Sequence, residues 1–304
     1  MVSRPHYDIL ALDLDGTLFG PDGRVSEANV RAVRAAREAG VQVVICTGRG
    51  YVESKGAIAS IDAHIPATGR PIAPIVVAGG SMVADAATGR TLHRWPMNTD
   101  LVRRLCVHFA QVKRAPLILK DRDAAGFDYL VVNSGPIEYP TQWWFEVMDV
   151  EVKFIDDIQH DPHPEHTVRV GFAALTPVMT DLARSVAKHF GRETMVQHFS
   201  AVAGMANSKQ GIKDEGVQLL EVFDPQVSKW TAVHRLALEQ GIPRERIAAI
   251  GDEINDLAMI EGAGLGVAMG NAVKPVLEVA NRVTESNAQD GVARAIERML
   301  SGEW

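Results

Sequence analysis

Tyr7-Asp8-Ile9-Leu10-Ala11-Leu12-Asp13-Leu14-Asp15-Gly16-Thr17-Leu18 is the stretch on which the fold turns. Its first half is an almost continuous apolar run, the pattern of a strand buried on both faces, and it stops at two carboxylates and a glycine. A helix is predicted next: Ser26 can cap its start, Val30, Val33 and Ala36 recur at helical spacing, and Gly40 closes it. Residues 41–46 make a second short apolar run that stops at Thr47-Gly48-Arg49, and residues 74–78 make a third that stops at Gly79-Gly80.

The same rhythm returns late in the chain. Ser228 can cap a helix in which Val233, Leu236 and Ala237 share a face before Gly241, and residues 246–250 read as another buried strand, followed by Gly251-Asp252. Asn255 starts the next predicted helix, and residues 265–269 and 282–284 read as further short strands. Strands alternating with helices predict a parallel sheet covered by helices on both faces, with ligands gathered at the carboxyl ends of its strands. Between these halves the sequence is more polar, richer in Trp and Pro, and residues 167–172 alternate like a strand with one solvated face. This middle section reads as an inserted domain. The expected division is residues 1–82 plus 212–304 for a core and 83–211 for the insertion.

Composition narrows the function. With 304 residues, 46% of them hydrophobic and 23% charged, the chain can bury a substantial core in one large domain or two modest ones. No apolar run approaches the roughly 18 residues that span a bilayer, and the first seven residues are too short and polar for a signal peptide, so no membrane role is expected and the cytoplasm is the expected compartment. Cys46 and Cys106 imply no disulfide framework. A net charge of −7 without clustered Lys and Arg argues against a nucleic-acid partner. No obligate protein partner is expected either, whereas a small anionic substrate fits if a metal and a few cations offset the charge locally.

Four polar clusters end or begin the predicted outer elements: residues 13–17, residues 47–49, Lys229, and residues 251–256. Strand ends converge on one rim of a parallel sheet, so these clusters can share a site. Phosphoryl transfer needs an in-line nucleophile, stabilised equatorial oxygens and a proton for the leaving group. Asp13 and Asp15, one residue apart in extended chain, point the same way and can flank one phosphorus. A carboxylate kept ionised by a metal and Lys229 suits the nucleophile, and its neighbour suits proton transfer. Magnesium fits an all-oxygen site, with Asp252 as the evident second ligand. Gly16 lets backbone approach the phosphate, and the Thr47 hydroxyl with nearby amides can donate to it.

Asp13-Leu14-Asp15-Gly16-Thr17-Leu18, Thr47-Gly48-Arg49, Lys229 and Gly251-Asp252-Glu253-Ile254-Asn255-Asp256 resemble, in order, the four motifs of the haloacid dehalogenase-like phosphatases. Residues 264–272, followed by Asp290-Gly291-Val292, are similar to the Cof-type branch. The likeness covers about 170 residues in the outer segments and is weak across the middle. It implies a three-layer, Rossmann-like α/β core with an inserted α/β cap that selects the leaving group. It also implies a magnesium-dependent phosphatase for a small phosphorylated metabolite, with sugar phosphates as the leading class. Asp13 then resembles the nucleophile and a metal ligand, and Asp15 the acid/base that also offers its backbone carbonyl to the metal. Thr47 is similar to a phosphate-binding hydroxyl, with Gly16, Gly48, Arg49 and Asn255 beside it. Lys229 resembles the lysine that steadies nucleophile and phosphate, Asp252 and Asp256 the metal-site acids, and Asn271 a further active-site residue. Gly79-Gly80-Ser81 stands where the family commonly has Asn-Gly-Ala. A phosphomutase, or a phosphate-binding regulatory protein without turnover, would use the same residues.

Simpler readings compete elsewhere. Residues 262–266 mimic a dinucleotide loop but follow a helix and enter a strand, the reverse of a pyrophosphate cradle, which leaves tight packing. His160, His163 and His166 have a spacing that could suit zinc, yet they lie among prolines and acids in an apparent surface loop. Cys46 reads as a buried inert thiol. Trp143, Trp144 and Phe145 either pack the cap core, the favoured reading, or face the substrate, Arg49 either touches substrate or pairs with a surface acid, and Asp128, Tyr129 and Arg169 are candidates for the cap's contribution to the site.

Overall fold

The computed structural model describes residues 6–67, 71–200 and 216–304. Strands β1 (Ile9–Leu12), β2 (Gln42–Ile45) and β3 (Pro74–Val77) alternate with helices α1 (Glu27–Glu38) and α2 (Tyr51–Ser60). Strands β4 (Met82–Asp85) and β5 (Thr91–Arg94) follow without a helix between them. The middle of the chain runs α3 (Thr99–Gln111), β6 (Leu117–Lys120), α4 (Arg122–Ala125), β7 (Tyr129–Val132), α5 (Tyr139–Val147), β8 (Val152–Ile155), β9 (Thr167–Leu175), α6 (Thr176–Phe190), β10 (Met195–Ser200) and β11 (Val217–Phe223). The alternation then resumes with α7 (Lys229–Glu239), β12 (Ile247–Gly251), α8 (Leu257–Gly262), β13 (Leu265–Ala268), α9 (Lys274–Val279), β14 (Arg282–Val283) and α10 (Gly291–Ser301).

The outer segments form one parallel sheet in the order β14-β13-β12-β1-β2, which a bridge between Cys46 and Val76 extends to β3. β1 is central and buried at every position, as its unbroken apolar run requires. Its two faces serve different layers. Leu10 and Leu12 pack with Val33 of α1 and Ile296 of α10, whereas Ile9 and Ala11 pack with Val233 of α7 and Met259 of α8. The result is a three-layer α/β/α core. Ser26 caps α1 through Asn29 N, and Ser228 caps α7 through Thr231 N, as their sequence positions predicted.

The middle segments form a second sheet of six strands, ordered β10-β11-β9-β6-β7-β8. One face is closed by α3 and α6, with Leu105, Phe109, Val170, Phe172, Val186 and Leu220 in its core. The other face turns toward the carboxyl ends of the first sheet, with a cleft between the two.

The sheets divide the chain differently from the composition. β4 pairs antiparallel with β3 and β5 with β4, so both continue the first sheet, while β11 lies between β10 and β9 in the second. The expected break at 82/83 therefore falls inside one sheet, and the expected break at 211/212 lies outside the described residues. A second expectation is corrected: β9 has no solvated face, because residues 167–174 are all buried, and the side opposite the helices meets α5 and, through Arg169, the 47–49 loop. Alternating polarity marks two different environments, and here the second is another unit rather than water. Among the described residues no helix is long and apolar enough to cross a membrane.

Candidate active site

Lys229, the first residue of α7, is completely buried at the rim of the first sheet. Its ammonium donates to Asp13 Oδ1 at 2.6 Å and to Asp256 Oδ1 at 2.7 Å, with Asn255 Oδ1 at 3.5 Å. Asp13 follows β1 directly, and Asp252 follows β12, the strand beside it. Residues 14–18 turn tightly, so that the Thr17 hydroxyl donates to Asp252 Oδ1 at 2.7 Å. Gly16 makes this turn possible: its φ is +78°, and a methyl group there would stand 2.2 Å from Asp252 Oδ2. Asn271 Nδ2 donates to Gly16 O at 2.9 Å and to Asp252 Oδ2 at 3.3 Å, closing the ring from β13's end.

Asp13, Asp252 and Asp256 each offer a carboxylate oxygen within 4.8 Å of the others. Three carboxylates face one ammonium, which leaves two excess negative charges in a buried place. The crowding raises the carboxyls above their ordinary range. Burial, then the Asp256 charge, push Asp13 up to about 7 against the pull of Lys229, and burial with Asp13 and Asp256 push Asp252 up to about 9. Burial opposes the charge on Lys229 too, but Asp13 and Asp256 outweigh it and hold the ammonium above the ordinary lysine range. A hard divalent cation with oxygen ligands supplies the missing charge, so the donor set fits magnesium. Within that set Asp256 is the most committed: besides Lys229, it accepts from the amides of Asp252 and Glu253 at 3.0 and 3.1 Å.

Asp15 lines the same cleft as Asp13, and its carboxylate is held bidentately by Arg49, at 2.8 Å from Nε and 2.6 Å from Nη2. Arg49 thus pairs with a site acid rather than a surface one. Its guanidinium lies 5.3 Å from the ring centroids of both Phe19 and Trp144, between two aromatic faces. Thr47 is buried, and its hydroxyl accepts from Arg49 N at 3.1 Å. Gly79 N donates to Thr47 O and Ala78 N to Arg49 O, so the unusual Gly79-Gly80-Ser81 loop supports the 47–49 loop through backbone alone.

The cleft's other wall comes from the second sheet and α5. Arg169, fully engaged, donates to Gly48 O at 2.7 Å, to Tyr129 Oη at 3.1 Å and to Glu221 Oε1. Glu53 of α2 accepts from Tyr129 Oη at 2.8 Å, from Trp144 Nε1 at 2.6 Å and from Gly50 N. These bonds tie the two units together beside the 47–49 loop. Tyr129 and Arg169 are therefore cleft residues as expected, whereas Asp128 faces a separate groove and pairs with Arg122 and Glu151 N. The aromatic triplet divides: Phe145 packs against Tyr129, but Trp143 and Trp144 line the cleft, contrary to a core reading for all three. Sequence reading also passed over Glu53 and Glu221. The signal for Glu221 was a lone carboxylate within the apolar run of β11.

The remaining sequence candidates behave simply. Burial raises the Cys46 thiol far above its usual range and keeps it inert. Gly262 lies against the Trp230 ring and Gly266 against Ile260 O, which is packing. His163, Glu165 and His166 bring ligand atoms within 4.8 Å of each other without His160, but the Arg94 guanidinium already sits on His166 Nδ1 at 2.7 Å.

Comparison with known proteins agrees with this architecture. A family model described as haloacid dehalogenase-like hydrolase matches residues 10–296. The chain is 27% identical over 314 residues to the 5-amino-6-(5-phospho-D-ribitylamino)uracil phosphatase YitU of Bacillus subtilis, covering 99% of this chain and 100% of that protein. Among solved structures, it is similar to the HAD subclass IIB sugar phosphatase BT4131 (TM-score 0.74, 17% identity, 96% of this chain and 98% of that one). It is also similar to a HAD/COF-like hydrolase from Plasmodium vivax (TM-score 0.76, 18% identity, 99% and 98%).

Proposed function

This chain belongs to the haloacid dehalogenase-like hydrolases, and on that premise we propose that it is a magnesium-dependent phosphatase that cleaves a small phosphorylated metabolite through an aspartyl-phosphate on Asp13. The observation that carries the reading is the gathering of three buried carboxylates around the single ammonium of Lys229, beside a cleft that Asp13 and Asp15 both line.

Asp13, Asp252 and Asp256, with the Asp15 backbone carbonyl, would hold magnesium. When bound, the ion neutralises the carboxylates and stabilises charge on the transferring phosphoryl oxygens. Lys229 orients Asp13 and favours its ionised form against burial and the Asp256 charge, so one carboxylate oxygen is steadied while the other is left for phosphorus. The 47–49 loop offers the Gly48 amide, since those of Thr47 and Arg49 donate to Val76 O and the Thr47 hydroxyl, and Arg49 offers a guanidinium that a phosphoryl oxygen can draw away from Asp15. Released from Arg49, Asp15 carries a proton to the departing alcohol and then removes one from the water that hydrolyses the phosphoaspartate. The second-sheet unit, from about residue 97 to Phe223, acts as the cap that excludes water and reads the leaving group. The relative YitU is a 5-amino-6-(5-phospho-D-ribitylamino)uracil phosphatase, an activity on a small phosphorylated metabolite, which supports the same class of substrate here.

The test is phosphate release by the purified protein from a panel of phosphorylated metabolites, with magnesium and with EDTA. Release is expected with the ion, lost on chelation, and lost in Asp13→Asn. No release above the Asp13→Asn level on any panel member would overturn the reading, and isomerised sugar phosphate in place of free phosphate would make the enzyme a mutase.

A further inference from the structure

The backbone of the 47–49 loop is held almost wholly from within the first-sheet unit. Thr47 N donates to Val76 O, Thr47 O accepts from Gly79 N, Arg49 O accepts from Ala78 N, and Arg49 N donates to the Thr47 hydroxyl. The Gly48 carbonyl is the exception. Among the described residues its one donor lies in the other unit: Arg169 of β9, at 2.7 Å. Gly48 O and Arg49 N belong to the same planar peptide group, so that plane is pinned at both edges, by Arg169 at its oxygen and by Thr47 at its nitrogen. Glycine leaves the peptide planes beside it freer to rotate than any other residue does, so this anchor removes freedom that no side chain at position 48 restricts. The pinned peptide carries the Arg49 Cα, the base from which the guanidinium reaches Asp15.

Arg169 is itself held in place from several sides. It donates to Glu221 Oε1 and to Tyr129 Oη, and Tyr129 passes its own proton to Glu53 of α2. Glu53 also takes Trp144 Nε1, and the Trp144 ring stands 5.3 Å from the Arg49 guanidinium. The second-sheet unit thus grips Arg49 at two points, its backbone through Arg169 and its charged head through Trp144. Separating the two units breaks both contacts, while the bonds that Thr47 and Arg49 make to Val76, Ala78 and Gly79 lie within the first unit and survive.

We propose that Arg169 is a positioning residue: when the cap closes, it fixes the Gly48–Arg49 peptide and so holds Arg49 where its guanidinium can pass from Asp15 to the phosphoryl group. This rests on the phosphatase reading and deepens it, because it gives the cap a part in holding the phosphoryl group that is independent of the leaving group.

The test compares wild type with Arg169→Met, magnesium present, on p-nitrophenyl phosphate and on the best phosphorylated metabolite of the panel. Loss of one hydrogen bond from a charged group is expected to lower kcat/KM by about ten- to a hundredfold. The factor is expected to be the same for both esters, and the inhibition constant of inorganic phosphate, which has no leaving group, is expected to rise at least about fivefold. In an Arg49→Lys background the same substitution is expected to cost less than about threefold, since Arg169 acts through Arg49. Losses that differ by more than about tenfold between the esters would mark Arg169 as a leaving-group contact and overturn the proposal. An unchanged phosphate inhibition constant, or the full loss in the Arg49→Lys background, overturns it as well. Arg169→Met strands the Glu221 carboxylate, so if it melts before assay the double variant Arg169→Met/Glu221→Leu, which removes both charges together, takes its place under the same criteria. No turnover of any phosphoester by wild type removes the phosphatase reading along with the proposal, whereas turnover with unequal losses removes the proposal alone.

Discussion

Lys229 shows how much a single side chain can organise. A buried ammonium is tolerable only because Asp13 and Asp256 both contact it, and those contacts set the direction of the Asp13 carboxylate. Gly16 is as constrained. Alanine there must adopt φ +78° and displace Asp252, so Gly16→Ala is expected to lower kcat/KM by at least about 100-fold and to weaken the magnesium-induced rise in melting temperature. Arg49 has a different part, since in the proposed mechanism it leaves Asp15 when a phosphoryl group arrives. Lysine cannot reproduce its bidentate hold or its place between Phe19 and Trp144. Arg49→Lys is expected to raise KM about tenfold, on the scale of a lost charge-assisted hydrogen bond, with a smaller effect on kcat, read from steady-state kinetics.

At the scale of elements, two capping serines separate stability from function. Ser26 caps α1 on the outside of the core, and Ser228 caps α7, whose first residue is Lys229. Replacing either by alanine removes one bond to a helix N-terminal amide and is expected to cost about 1 kcal/mol in urea unfolding. Only Ser228→Ala is expected to reduce turnover as well, because the loosened first turn carries the ammonium that holds Asp13. Equal losses of activity in both variants would show that α7's start does not position the site. The strand pairings explain a further element-scale feature. β11 carries Glu221 and β9 carries Arg169, and their antiparallel register places the two side chains on the cleft face with Gly171 between them.

At the scale of the whole molecule, two units close around a cluster that is incomplete in charge, and stability should report it. Asp13 at about 7 and Asp252 at about 9 both lie above the carboxylate range of an unfolded chain. Groups raised in this way add stability that is full at low pH and lost as pH climbs through their folded values, so without metal the melting temperature is expected to fall between pH 5 and pH 9. The proposed magnesium would bind the ionised carboxylates, so its stabilising increment is expected to grow across the same window. Thermal melts with EDTA and with magnesium check this, and an increment that shrinks with pH would contradict it. Residues 7–18, 41–49 and 246–256, with the capped helix start at 228–229, were enough by themselves to predict the parallel core and to single out Asp13, Asp15, Thr47, Lys229 and Asp252. An apolar run between turn signals can be satisfied in few ways, and polar residues at successive strand ends must meet on one rim. What covers the far side of β9, which sheet takes β11, and whether Trp144 faces core or cleft were decided only by the tertiary structure. Periodicity records that a side chain leaves water but not what it then meets, and the contacts of Arg169 with Gly48 and Glu221 join segments 121 and 52 residues apart.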